Sequence, residues 1–206
     1  MQLIYWHGWG YDSTVFTPLL KILAEFDAIC INEGYFGETN LPQTISTEAV
    51  GIGHSQGFAR LVQTSPHLKG YVSLNGYTQF LQSHSFVNGI PKAVLGAMIQ
   101  QFQRHPDKVL ESFYNKCGYL PDYSALERND ELLRQNLTAL RSLSLPQPRA
   151  PVLAIAAAED QIVPLKLQQD CFNQVQIIDQ ANHSLIPQHA LTCASLIRRF
   201  IESLPK

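Results

Sequence analysis

The chain has 206 residues, 45% of them hydrophobic and 16% charged, with a formal net charge of -2, which describes one globular unit with a sizeable core. So small a charge argues against nucleic acid as a partner, because a phosphate-binding surface needs an excess of lysine and arginine. No apolar run approaches the roughly 18 to 20 residues that cross a bilayer, and the opening MQLIYWHGWG carries neither a charged leader nor a cleavage pattern, so the expectation is a cytoplasmic protein without a membrane partner.

In chain order, QLIYW reads as a strand ending at a glycine-rich turn, Ser13 to about Glu25 as a helix, and DAICINEG as a second strand. EAVGIGHS is a third strand, followed by a helix from Gln56 to about Gln63 and a fourth strand, GYVSLNG. Apolar strands alternating with helices predict an α/β fold with a mostly parallel sheet flanked by helices. The stretch EGYFGETNLPQTIST is too short and too rich in breakers for a full crossover helix, so an extended loop or a single turn is expected there.

After Gly76 the period changes to that of helices. Val94, Leu95, Met98, Ile99 and Phe102 form one stripe after Pro91, a second helix starts at Pro106, and a third is signalled by the capping box Ser124-x-x-Glu127 and runs towards Pro146. Residues 81–146 are therefore expected to form a helical lid subdomain, inserted after the third visible αβ unit into a core made of 1–80 and 147–206. PVLAIAAAED and VQIID resume the strands, and a helix from about Gln188 to Leu204 closes the chain.

The chemistry centres on Gly53-His54-Ser55-Gln56-Gly57, a G-x-S-x-G sequence between a strand and a helix. Glycines at its edges allow strand and helix to pass closely and leave the serine hydroxyl exposed at the apex. A serine needs a base to take its proton and an acid to orient that base, in the chain order Ser, Asp or Glu, His. Asp160 follows one late strand and His183 the next, so Ser55, Asp160 and His183 are the expected catalytic residues, with Glu159 the alternative acid. Backbone N–H groups must also stabilise the oxyanion, and Gln56 in the elbow and Trp9 in the glycine-rich turn are the expected donors. His7 is expected to shape that turn, His54 to be packed or to face the rim, and His67, His84, His105 and His189 to sit on the surface or the lid.

Cys30, Cys117, Cys171 and Cys193 have no C-x-x-C spacing and no companion histidines, so free thiols are expected, with no metal site and no cofactor.

Together these residues resemble the α/β-hydrolase superfamily over essentially the whole chain. Within it, HGWG followed by GHSQG resembles the pimeloyl-[acyl-carrier protein] methyl ester esterases of biotin synthesis, and NGY, GIPKAVLGAMIQQF and PDKVLESFYNKCG are similar to the lid pattern of their compact members. The resemblance implies a serine carboxylesterase acting on a small acyl ester, a methyl ester on a chain carried by acyl carrier protein. Free small esters or thioesters are the alternative substrates, and a non-catalytic receptor of the same fold is the alternative of another class. Such a chain needs an apolar channel, which Trp9, Leu95, Phe102, Phe113 and Leu137 could line. The carrier is acidic, and Lys92, Arg104, Lys108 and Lys116 outnumber Asp107 and Glu111 in this stretch.

Overall fold

The structure is a computed structural model and describes residues 1–205. Strands β1 (Gln2–Trp6), β2 (Asp27–Ile31), β3 (Val50–His54), β4 (Gly70–Leu74), β5 (Val152–Ala157) and β6 (Gln176–Ile178) form one sheet in the order β2-β1-β3-β4-β5-β6. Every neighbouring pair is parallel. The chain runs from β1 outwards to β2, then crosses back past β1 to begin β3. A reversal of this kind opens a crevice at the carboxyl ends of the two strands that flank it. Here those strands are β1 and β3, with Trp6 paired to Gly53.

Strands β3 and β4 are buried at all positions, as a sheet covered on both faces requires. Helix α2 (Gln56–Thr64) lies on one face, where Gly51 meets Leu61 and Phe58 meets Tyr71 edge-on. On the other face, Gly70 meets Phe200 of α7 (Leu185–Ser203), which packs against α1 (Thr17–Ile22). Helix α1 is preceded by a 3-10 turn at Ser13–Phe16, capped by Asp12, so the stretch expected as one helix to Glu25 is shorter and in two parts. Between β5 and β6 lies α6 (Leu165–Cys171), a short helix that starts directly after Pro164. Helix α7 begins at Leu185 and bends at His189, whose φ of -127° and ψ of 28° are not helical. Among the described residues no helix is long and apolar enough to cross a membrane.

Between β4 and β5 the chain carries α3 (Lys92–Arg104), α4 (Pro106–Cys117) and α5 (Asp130–Ala139). The first two start where Pro91 and Pro106 predict, but the third does not follow the expected capping box. Ser124 Oγ is hydrogen-bonded to Asp122 Oδ1 at 2.7 Å, and α5 is capped instead by Asn129, whose Oδ1 accepts Leu132 N–H at 3.0 Å. The reason is tertiary: Gly37 N–H donates to Glu127 O and Asn129 N–H to Tyr35 O, both at 2.9 Å, so residues 127–129 are held extended against the loop after β2. That loop contains no helix among the described residues, in agreement with its composition. A groove of about 410 Å³ remains beside it, between Leu41–Ile45 and Thr64–Leu68.

Candidate active site

Ser55 joins β3 to α2 with φ 54° and ψ -124°, a backbone conformation that non-glycine residues seldom adopt. The close passage of strand and helix that creates this apex explains its glycines. A Cβ on Gly53 would lie 2.3 Å from Phe58 N, and one on Gly57 only 2.0 Å from Trp6 O. Both obstacles are backbone and cannot rotate away. Gly57→Ala is therefore expected to destabilise the fold by about 3 kcal/mol or more; a loss under about 1 kcal/mol in urea denaturation would mean that β1 and α2 separate there at little cost.

Asp160 follows β5 and His183 follows β6, and the parallel sheet brings both to the carboxyl edge that holds Ser55. Asp160 Oδ1 accepts the Ile162 and Val163 N–H groups, each at 2.8 Å. Its Oδ2 accepts His183 Nδ1–H at 2.7 Å, with both side chains shut off from solvent. Glu159, by contrast, points to solvent. With Nδ1 carrying the proton, His183 Nε2 is a lone-pair acceptor, and it makes no hydrogen bond among the described residues. Ser55 is 5% exposed and lines a cavity. Residue 54 beside it places its ring 5.0 Å from that of His183.

His54 is fully buried and donates from Nε2 to His183 O at 3.0 Å. Burial first, and the neighbouring His183 second, push its pKa down to about 3, so it is neutral. His7 is also buried, bonds Gly8 O through Nδ1 and accepts Glu33 N–H at Nε2, and burial lowers its pKa too. Both groups are harder to protonate folded than unfolded, where a histidine titrates near 6.5. The unfolded chain therefore takes up these protons first, and the stability they support is complete above about pH 6.5 and is lost as pH falls towards 3. The loss from His54 is expected to be on the order of 2 kcal/mol by pH 5, above the range where ordinary carboxylates titrate. Denaturation midpoints that stay flat from pH 7 to 5 would contradict it.

Gln56 is the first residue of α2, so its N–H lacks an intrahelical acceptor and lies at the positive end of the helix. Trp9 lies in the turn after β1, packed close to the elbow: a Cβ on neighbouring Gly8 would come within 2.8 Å of Ser55 Cβ. The side chains of both residues are fastened to α5, Trp9 Nε1 to Leu133 O at 2.8 Å and Gln56 Nε2 to Asn136 O at 3.0 Å. Asn136 continues into a buried network, donating to Tyr35 OH at 2.7 Å and accepting from Arg60 at 2.5 Å. Arg60 in turn pairs with Glu33 at 3.1 Å. None of this network was legible in the sequence, because its members lie on β2's loop, α2 and α5.

The cavity above Ser55 has a volume of about 590 Å³. Of the residues expected to line it, Trp9, Leu95, Phe113 and Leu137 do so, whereas Phe102 is one layer back, its ring 5.7 Å from that of Trp9. Tyr77, Phe80, Met98 and Ile162 also line it and were not singled out; the Met98 position was visible in the helical stripe, while the others follow strand ends whose loop geometry has no local signature. His105, Lys108 and Lys116 stand on its wall, Lys92 and Arg104 do not, and Asp107 is taken up by Arg128 at 2.6 Å. His67 and His84 are exposed and His189 is half-buried at the bend of α7. All four cysteines are free, and burial pushes the Cys117 thiol up to about 12, which leaves no thiolate to attack at neutral pH.

No protein-family model matches the chain. It is 24% identical over 192 residues to the pimeloyl-[acyl-carrier protein] methyl ester esterase of Shewanella oneidensis, covering 84% of this chain and 70% of that one. The protein of the same name from Shewanella woodyi is 26% identical over 202 residues, covering 81% and 78%. An esterase from Exiguobacterium antarcticum shares the fold with a TM-score of 0.82 at 13% identity, over 98% of this chain and 92% of that one. The chain has the α/β-hydrolase fold, and its sequence is similar to the pimeloyl-[acyl-carrier protein] methyl ester esterases.

Proposed function

We propose that the chain is a serine carboxylesterase that works through an acyl-enzyme, with Ser55 as nucleophile, His183 as base and then acid, and Asp160 orienting His183. The observation that carries this reading is the buried Asp160–His183 pair, which leaves Nε2 without a partner on the edge of the sheet where the elbow presents Ser55. In the reaction, Ser55 Oγ attacks the ester carbonyl carbon while its proton passes to His183 Nε2. The oxyanion is stabilised by Trp9 and Gln56 N–H. Collapse expels the alcohol, which takes the proton from His183. A water molecule then attacks the acyl-enzyme by the same route and releases the carboxylate and Ser55.

The substrate is proposed to be a methyl ester at the end of a dicarboxylic acyl chain carried on phosphopantetheine, with methanol as the leaving group. Three things support this: the similarity to esterases of that name, the apolar cavity, and Lys108 and Lys116 on the cavity wall, whose charge would suit an acidic carrier. On this reading 81–146 acts as the lid and the protein works in the cytoplasm. The test compares the methyl ester on acyl carrier protein with p-nitrophenyl acetate and free dimethyl pimelate. A kcat/KM for the carrier-linked ester about 100-fold or more above that for the free diester supports the substrate, while equal values would leave a general small-ester hydrolase.

A further inference from the structure

We propose that Asn75 is a positioning residue that sets the spacing between the acid and the base of the triad, an inference that rests on the esterase reading above. Asn75 immediately follows β4, is fully buried and lines no part of the cavity. Its φ of 53° lies in the left-handed region, which asparagine enters more readily than most side chains. From that position its amide faces two segments at once. Oδ1 accepts Ala157 N–H at 2.7 Å, at the end of β5 and three residues before Asp160. Nδ2 donates to His183 O at 3.0 Å and to Asn182 O at 3.2 Å. The preceding carbonyl, Leu74 O, accepts Ser55 N–H at 2.9 Å. Two consecutive residues thus bridge the three segments that carry the triad.

The chemistry of the site selects asparagine. One end meets a backbone donor and the other meets two carbonyls, so the side chain must accept at one atom and donate twice from another. Aspartate has the same shape but no donor, and would set an oxygen against two carbonyl oxygens. Glycine tolerates the backbone angle and supplies neither bond. Without the amide, His183 O retains only the bond from His54 Nε2, and the base-bearing loop is left tied to the end of β5 two residues upstream, where Glu159 N–H donates to Ala181 O at 2.9 Å. A shift of about 1 Å in a catalytic group can cost roughly 100-fold in rate.

The experiment compares wild type with Asn75→Gly and Asn75→Asp. Each is assayed for kcat and KM on p-nitrophenyl acetate, and the strongly deshielded His183 Nδ1 proton is followed by NMR. Ile197→Ala, a buried change in α7 away from the site, controls for lost stability alone. The expected result is a fall in kcat of roughly 100-fold in both Asn75 variants with KM changed by less than about threefold, together with a weakened or shifted Nδ1 signal. Ile197→Ala should keep both near wild type. Should Asn75→Asp not fold, Asn75→Gly carries the comparison, since glycine takes the left-handed angle without strain. Folded Asn75 variants with wild-type kcat and an unaltered Nδ1 proton would overturn the proposal. If wild type itself is inert towards the ester, the esterase reading fails separately, and the NMR signal alone decides whether Asn75 positions His183.

Discussion

Ser55→Ala is expected to lower kcat for ester hydrolysis by about a million-fold while leaving the melting temperature within a few degrees of wild type. The asymmetry follows from where the hydroxyl sits. Ser55 caps α2 by position but makes no side-chain hydrogen bond to the helix, so its oxygen holds nothing in the fold together. In the proposed reaction every covalent step passes through that oxygen, and the residual rate would come only from binding and from the oxyanion donors. A fluorophosphonate probe followed by peptide mass spectrometry should label Ser55 in wild type and leave the variant unmarked. Turnover that survives at more than about one part in a thousand, or a label on another residue, would falsify the assignment of the nucleophile.

The second large effect is expected at Asp160, through a proton on the wrong nitrogen. Two N–H groups, from Ile162 and Val163, are aimed at Asp160 Oδ1. An asparagine there keeps its oxygen in that position and turns its NH2 towards His183. The ring must then accept at Nδ1 and carry its proton on Nε2, where it cannot take one from Ser55. Asp160→Asn should therefore reduce kcat by about 10,000-fold with KM little altered, since the acid touches no substrate. Histidine NMR should report the reversed tautomer directly. A variant that keeps the wild-type tautomer and more than about a tenth of its kcat would show that Asp160 is not the orienting acid.

The parts of the site that were legible in the sequence share a property: each is written in a short window. The elbow is a steric problem solved within five residues, and the glycines at 53 and 57 mark where backbone approaches backbone. Asp160 and His183, which the structure pairs and which are the proposed acid and base, stood out because a strand end is recognisable locally and the proposed triad runs in the chain order Ser, Asp, His. The start of α5 shows the limit of such reading. Ser124 and Glu127 have the spacing of a capping box, but Glu127 and Asn129 are claimed by hydrogen bonds to Gly37 and Tyr35, some ninety residues away. A long-range ladder outcompeted a local cap. Phe102 illustrates the same limit on a helix face, since the stripe shows that it is buried but not whether it meets the cavity or the back of Trp9.

The amino-acid sequence alone determined the α/β class, the alternation of strands with helices, the turn that exposes Ser55 and the free state of the thiols, because these depend on periodicity, side-chain volume and spacing along the chain. Only the tertiary structure decided that β1 lies between β2 and β3, that α5 grips the side chains of Trp9 and Gln56, and that Asn75 joins the segments bearing Asp160 and His183. Those features are hydrogen bonds and packing between segments distant in the chain. Nothing in the residues flanking either end of such a contact announces its partner until the sheet has brought the two together.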